Sequence, residues 1–243
     1  MKKFLLPVSL LFLFILSGCS SVHVISVQSL EKEKEIYKGR EISYKIDDNY
    51  VTELEVDGIN NGKIYFYIYI KNKTDKAIEI RPEGMYLKSY SSERDLDEGN
   101  GVKYWAFDPE NALEEIKDDM DKAKNWKDAA VGLNCCFSFF SFVSHITSDD
   151  DYEIIEAVDD AAGFAVRHAV IESEYKGEMR QLHSEKEFWR NEVLRRTNLL
   201  PGEEIGGIVV MPLPEKVKFL RVVIPFEKND HTYLYELRKM KRR

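Results

Sequence analysis

The chain has 243 residues, enough for one large domain or two small ones with a sizeable core. Its 43 acidic residues outweigh 35 basic ones and leave a net charge of −8, which argues against nucleic acid as a partner, because that binding relies on clustered Lys and Arg. Of three cysteines, two are adjacent at Cys135 and Cys136, too close for ordinary disulfide geometry, so a disulfide framework is excluded and both are expected to pack as small buried side chains.

The first element is a leader. Lys2 and Lys3 supply a positive start, residues 4–16 an apolar run, and Ser17-Gly18 a small-residue step before Cys19. A spanning helix needs roughly 20 apolar residues, and this run is shorter and followed at once by polar serines. Leu16-Ser17-Gly18-Cys19 resembles the lipobox of bacterial lipoproteins. The resemblance implies that residues 1–18 are removed, that the Cys19 sulfur carries a diacylglycerol, and that its new amino group is acylated as well. One chain holds a protein to a bilayer only marginally, whereas two or three hold it stably. Ser20 and Ser21 replace the aspartate that resembles an inner-membrane retention signal, which favours the outer membrane of the cell envelope.

Residues 19–41 are expected to form anchor and tether, including the charged stretch EKEKE at 31–35. Strand patterns follow. In KIYFYIYIK (63–71), Ile64, Phe66, Ile68 and Ile70 alternate with Tyr65, Tyr67 and Tyr69, a period of two in β-favouring residue types. Residues 51–56 precede it through Asn60-Asn61-Gly62, a hairpin-type turn. Further strands are expected at 77–80, 85–90 and 104–107, so 42–108 reads as the first part of a β-sandwich.

The period changes at Asp108-Pro109-Glu110, where Asp108 suits an N-cap, Pro109 the first helical position and Glu110 the helix dipole. Helical spacing continues through Ile116, Met120, Ala123 and Ala130. A second pattern runs from Ile155 to Ala169, and a third begins at Ser184, which forms a capping-box signature with Glu187 ahead of Phe188, Trp189 and Val193. Residues 109–198 therefore read as a helical insertion, and strand patterns at 205–211, 217–226 and 232–237 make 199–243 the second part of the sheet domain.

The stretches IKNKTDKAIEI (70–80) and TNLLPGEEIGGIVV (197–210) resemble recurring segments of immunoglobulin-like sandwich domains in bacterial envelope lipoproteins. The expected fold class is thus mainly β with a helical insertion (α+β), an antiparallel immunoglobulin-like β-sandwich interrupted by helices, and the resemblance implies a non-catalytic role.

Chemistry-bearing motifs are sparse. Ser29-Leu30-Glu31-Lys32 matches Ser-x-x-Lys without its companions, and the Gly-x-Ser-x-Gly, phosphate-loop and His-Glu-x-x-His signatures are missing. Residues 95–100 begin like a calcium loop, but Ala106 stands where the bidentate glutamate belongs. His23, His145, His168, His183 and His231 show no ligand spacing, so neither metal nor cofactor is expected and no catalytic residue is assigned. The Phe-rich stretch at 129–146 is broken by Asn134 and three serines, and three roles compete for it: packing between insertion and sheet, facing a membrane or partner, and spanning a membrane. Two functions follow as expectations. One is a lipid-anchored, non-catalytic envelope protein with a binding or structural role, whose sandwich and helical insertion bind another macromolecule, such as an envelope protein, or shape the envelope. The other is an envelope enzyme or small-ligand binder, for instance of a glycan, with a cleft between sheet and insertion lined by Tyr65, Tyr67, Tyr69 and Trp105, since tyrosine faces stack on sugar rings.

Overall fold

The computed structural model describes residues 23–146 and 153–241, with side chains from 25–136 and 162–238. Ten of the described strands form two five-stranded antiparallel sheets. The first sheet runs, in spatial order, β1 (His23–Ser29), β12 (His231–Lys241), β11 (Phe219–Ile224), β7 (Tyr86–Tyr90) and β8 (Val102–Trp105). The second runs β10 (Glu204–Pro212), β5 (Lys63–Asn72), β4 (Tyr50–Asn60), β3 (Arg40–Ile46) and β2 (Lys34–Tyr37). A short pair, β6 (Ile78–Ile80) with β9 (Thr197–Leu199), bridges the flanks of the helical insertion. The class is mainly antiparallel β with a helical insertion, α+β.

Alternation in single strands explains how the sheets meet. Ile64, Phe66, Ile68 and Ile70 of β5 are fully buried, as are Leu220, Val222 and Ile224 of β11, and all belong to one core shared by both sheets. Burying a side chain of this size stabilises by about 1.5–3 kcal/mol, so a strand contributing three or four of them is locked to its face. Two tight turns set the register of the second sheet. Lys38-Gly39 and Asn61-Gly62 take φ of 49° and 80°, and 48° and 70°, the left-handed pair of a two-residue hairpin in which glycine carries no Cβ penalty.

The chain folds earlier than its charge pattern suggests. β1 pairs with β12 along its whole length, from His23 opposite Lys241 to Ser29 opposite Tyr235. The span 23–37, read from EKEKE as tether, is therefore two strands. Its partner lies at the other end of the chain, which no local pattern reveals. Within EKEKE, Glu31 accepts from Lys45 Nζ at 3.0 Å and from the Leu234 N–H at 2.7 Å, so part of that charge ties β12 to β3.

The insertion is a hairpin of two long helices. After the short α1 (Glu93–Glu98), α2 (Pro109–Ile146) and α3 (Glu153–Asn191) run for 38 and 39 residues, or about 57 Å each at 1.5 Å per residue. They lie antiparallel. Asn134 of α2 accepts from Arg167 Nε of α3 at 2.9 Å, while Lys127 pairs with Glu172 at 2.6 Å and Ile116 clusters with Trp189 near the base. The expected helix start is correct: the Asp108 carboxylate accepts from the Glu110 N–H at 2.9 Å. The capping box at Ser184 does not start a helix, because α3 continues unbroken through it on its packing against α2. Residues 95–100 hold the end of α1 in place of a calcium loop, with Ser92 as N-cap and Gly99 at its left-handed end.

Candidate functional site

The hairpin is attached at one place. The Phe107 N–H donates to Val210 O at 2.9 Å, Leu194 N–H to Ile208 O at 2.8 Å and Ile208 N–H to Glu192 O at 2.8 Å, so both feet of the hairpin are bonded to β10. Gly207 makes this approach possible, since a Cβ there would lie 3.0 Å from the backbone of Leu194. Ile116, Trp189 and Val193 then cover Ile208 and Val210 on the outer face of β10. This second cover explains why Ile208, Val209, Val210 and Met211 form an unbroken apolar run rather than an alternating one.

Beyond the base, α2 and α3 have each other. Trp126, Leu133, Val166 and Val170 are 47–64 % exposed on this outer stretch. Cys135 and Cys136 are exposed as well, contrary to their expected burial, because the sheet that would cover them ends at the hairpin's foot. The Phe-rich stretch 129–146 begins about 30 Å along α2 from its start and forms the distal half of that helix, away from the foot that is bonded to β10. Among the described residues no helix is long and apolar enough to cross a membrane.

The four aromatic residues expected to line a cleft are divided between two sheets. Tyr65 lies under the hairpin base, edge-on to Phe188 at 5.8 Å. Tyr69 donates its hydroxyl to Glu204 at 2.6 Å, a bond that pushes its pKa up to about 12 and holds the Glu204 carboxyl below its usual range. Tyr67, 44 % exposed, is the open member of this face, and its hydroxyl covers the site where a Cβ on Gly206 would stand. Trp105 sits on β8 of the other sheet, edge-on to Tyr86 at 5.3 Å, with Lys103 Nζ 3.5 Å from its ring centre. The three tyrosines share one face, and Trp105 is separate. Cys19 lies outside the described residues.

One polar constellation escaped the sequence. His231 Nε2 donates to Asp47 Oδ2 at 3.1 Å, and Nδ1 lies 2.6 Å from Thr52 Oγ1, which is 2.5 Å from the Tyr233 hydroxyl. A carboxylate, an imidazole and a hydroxyl in line resemble the nucleophile arrangement of hydrolases. Here the hydroxyl is 0 % exposed between the sheets and bonded on both sides, so it pins β4 to β12. Burial pushes the Asp47 carboxyl up, but the bond from His231 and the N–H groups of Tyr50 and Asn49 outweigh it and hold the group below its usual range. The signal was invisible because Asp47 and His231 are 184 positions apart.

Among the described residues no group of three metal-ligating side chains comes together. No known protein family, curated protein or solved structure matches the chain.

Proposed function

We propose that the protein is a bacterial envelope lipoprotein, tied to the outer membrane by acyl chains on Cys19, whose helical hairpin docks an apolar surface of another envelope protein. The hairpin carries this reading. It extends about 57 Å, is bonded to the sheets at its foot and, among the described residues, nowhere else, and presents Trp126, Leu133, Val166 and Val170 to solvent along its outer part. A rigid paired-helix arm with unpartnered aliphatic side chains suits the apolar, aromatic-containing centre of a protein interface. The finer description of the body as an immunoglobulin-like sandwich is supported by the chain's passage between sheets, from β5 to β7 and from β10 to β11. The consecutive hairpins β2 to β5 in one sheet depart from that pattern. On this reading the protein does no chemistry of its own.

The test places a photoreactive residue at Leu133 or Val170 in the acylated protein within intact envelopes, with exposed Lys76 on the body as control position. A discrete adduct from the hairpin positions, lost on Leu133→Asp or Val166→Asp and weakened by Cys19→Ala, is the expected result. Equal, diffuse labelling from hairpin and body positions would remove the docking role. An unmodified first residue in the mass of the mature protein would remove the anchor.

A further inference from the structure

The two sheets are pinned together at one end and part at the other. At the pinned end, Ser29 Oγ lies 2.6 Å from Ser43 Oγ and the Ser29 N–H donates to Glu41 at 2.8 Å. Toward the beginning of β1 the inner faces separate and leave two cavities, of about 590 and 490 Å³, that meet at Ile25 and Ile59. Together they form one groove between the sheets, within the size range of sites that take drug-sized or lipid-like ligands.

Its chemistry is narrow. β1 supplies Ile25 and Val27, β4 supplies Val56 and Ile59, and the connection from β10 to β11 supplies Leu213 and Val217. Ile25 is left 37 % exposed although it points to the inner side of its strand. The charges near one mouth are already matched: Arg40 pairs with Glu55 at 2.8 Å and with Asp57 at 3.4 Å, and Glu41 with Lys34 at 2.5 Å. Glu215 and Lys216, of opposite sign, border the other mouth. Aliphatic side chains on both sides, with Tyr235 and the self-matched pairs of Arg40 and Glu41 along one wall, favour an uncharged, flexible, largely apolar guest.

We propose that the groove holds one acyl chain of the protein's own lipidated Cys19, an inference that rests on the lipoprotein reading above. Chain geometry points to this occupant. β1 runs from the open end toward the pinned end, so the described chain begins, at His23, on the side of the groove's mouth. Only residues 20–22 separate Cys19 from His23, a span of at most about 14 Å. An alkyl chain on that sulfur starts within reach of the mouth and would leave water by lying along Ile25, Val27, Val56 and Ile59. A chain held this way turns the open end of the body toward the membrane and leaves fewer chains in the bilayer, which loosens the anchor.

The experiment uses cells fed a fatty acid bearing a diazirine, from which the full acylated protein is purified and irradiated. Intact mass establishes whether Cys19 is acylated, and peptide mapping locates the photoadducts. The expected result is a link within one chain from the Cys19 peptide to peptides containing Val27, Ile59 or Val217. It should fall several-fold in Ile59→Asp and in the milder Val217→Ser, and stay unchanged in Ile46→Asp on the exposed side of β3, with far-UV circular dichroism confirming that each variant folds. An acylated Cys19 whose links go only to lipid or detergent, or are unaffected by both groove variants, overturns the proposal while the lipoprotein reading stands. Labelling of the groove by lipid from outside the chain also overturns it, by assigning the site to another alkyl chain. An unacylated Cys19 overturns both readings.

Discussion

The sheet body and the helical hairpin solve burial in opposite ways. In the body, strands far apart in sequence meet: β1 pairs with β12, and β5 lies between its hairpin partner β4 and the distant β10. The inner residues of the central strands, such as Phe66, Ile68 and Val222, are enclosed by both sheets. In the hairpin, the described outer residues pack on the neighbouring helix, and Leu133, Val166 and Val170 remain in water. Stability in the body is therefore global, whereas the arm's outer half contributes little beyond its own helix pairing. Deleting residues from the two regions tests this directly. Phe66→Ala, at a fully buried position packed on Tyr235, should cost about 3–5 kcal/mol in a denaturant titration. Replacing 128–171 by a short glycine-rich linker between Lys127 and Glu172, which already touch, should shift the body's unfolding by no more than about 1 kcal/mol. Loss of cooperative unfolding in the shortened chain would show that arm and body are one unit.

The junction between them is the next place to press. Gly207→Ala drives a Cβ into the backbone of Leu194, a contact that cannot rotate away, and should cost about 1–3 kcal/mol. The loss should show as faster amide exchange in residues 188–194 while β11 and β12 stay protected. Equal exchange throughout would place the strain in the body instead.

How much of this could be read in advance follows the same division. The alternation in β5 and the start of α2 at Asp108-Pro109 were legible because each depends on neighbours within a few residues. Ser184 misled for a related reason: a capping box is a local signal, and α3 continues through it on contacts with α2 that a local pattern does not carry. The pairing of β1 with β12, the exposure of Cys135 and Cys136, and the separation of Trp105 from the tyrosines all depend on which distant segments meet. The groove was likewise illegible, since Ile25, Ile59 and Val217 converge only when three connections close around it.

Between the sheets, the row formed by Asp47, His231, Thr52 and Tyr233 should behave as a structural pin with a pH signature. Thr52→Val leaves His231 Nδ1 without its buried partner, while the Tyr233 hydroxyl keeps its bond to the residue-52 carbonyl, and should cost about 1–3 kcal/mol. The Asp47 carboxyl is held below its ordinary value of 3.8 in the folded state, so its contribution is present above that pH and is lost as pH falls through the lower folded value. Stability of the native chain should therefore decline below about pH 4 more steeply than that of Asp47→Asn, measured as the urea midpoint at each pH. Parallel curves for the two proteins would mean that Asp47 is not held by this row.

The smallest effect lies on the outer face of the first sheet, where register alone sets the chemistry. Arg221 stands opposite Lys88 and Lys88 opposite Lys103, so three cations form a line across β11, β7 and β8. Lys103 rests over the rings of Tyr86 and Trp105, and Arg221 over Tyr90, while Lys88 between them forms no ion pair among the described residues. Like charges directly opposite across strands destabilise, and opposite ones stabilise by about 0.2–1 kcal/mol. Lys88→Glu should accordingly raise the denaturation midpoint slightly at low ionic strength, and the gain should shrink in 1 M salt as the charges are screened. A loss of stability instead would mean that the lysine's methylene stem, lying along the sheet, contributes more than its charge costs. The body would then tolerate the aligned cations for their packing, unlike the hairpin, whose exposed side chains have no such cover.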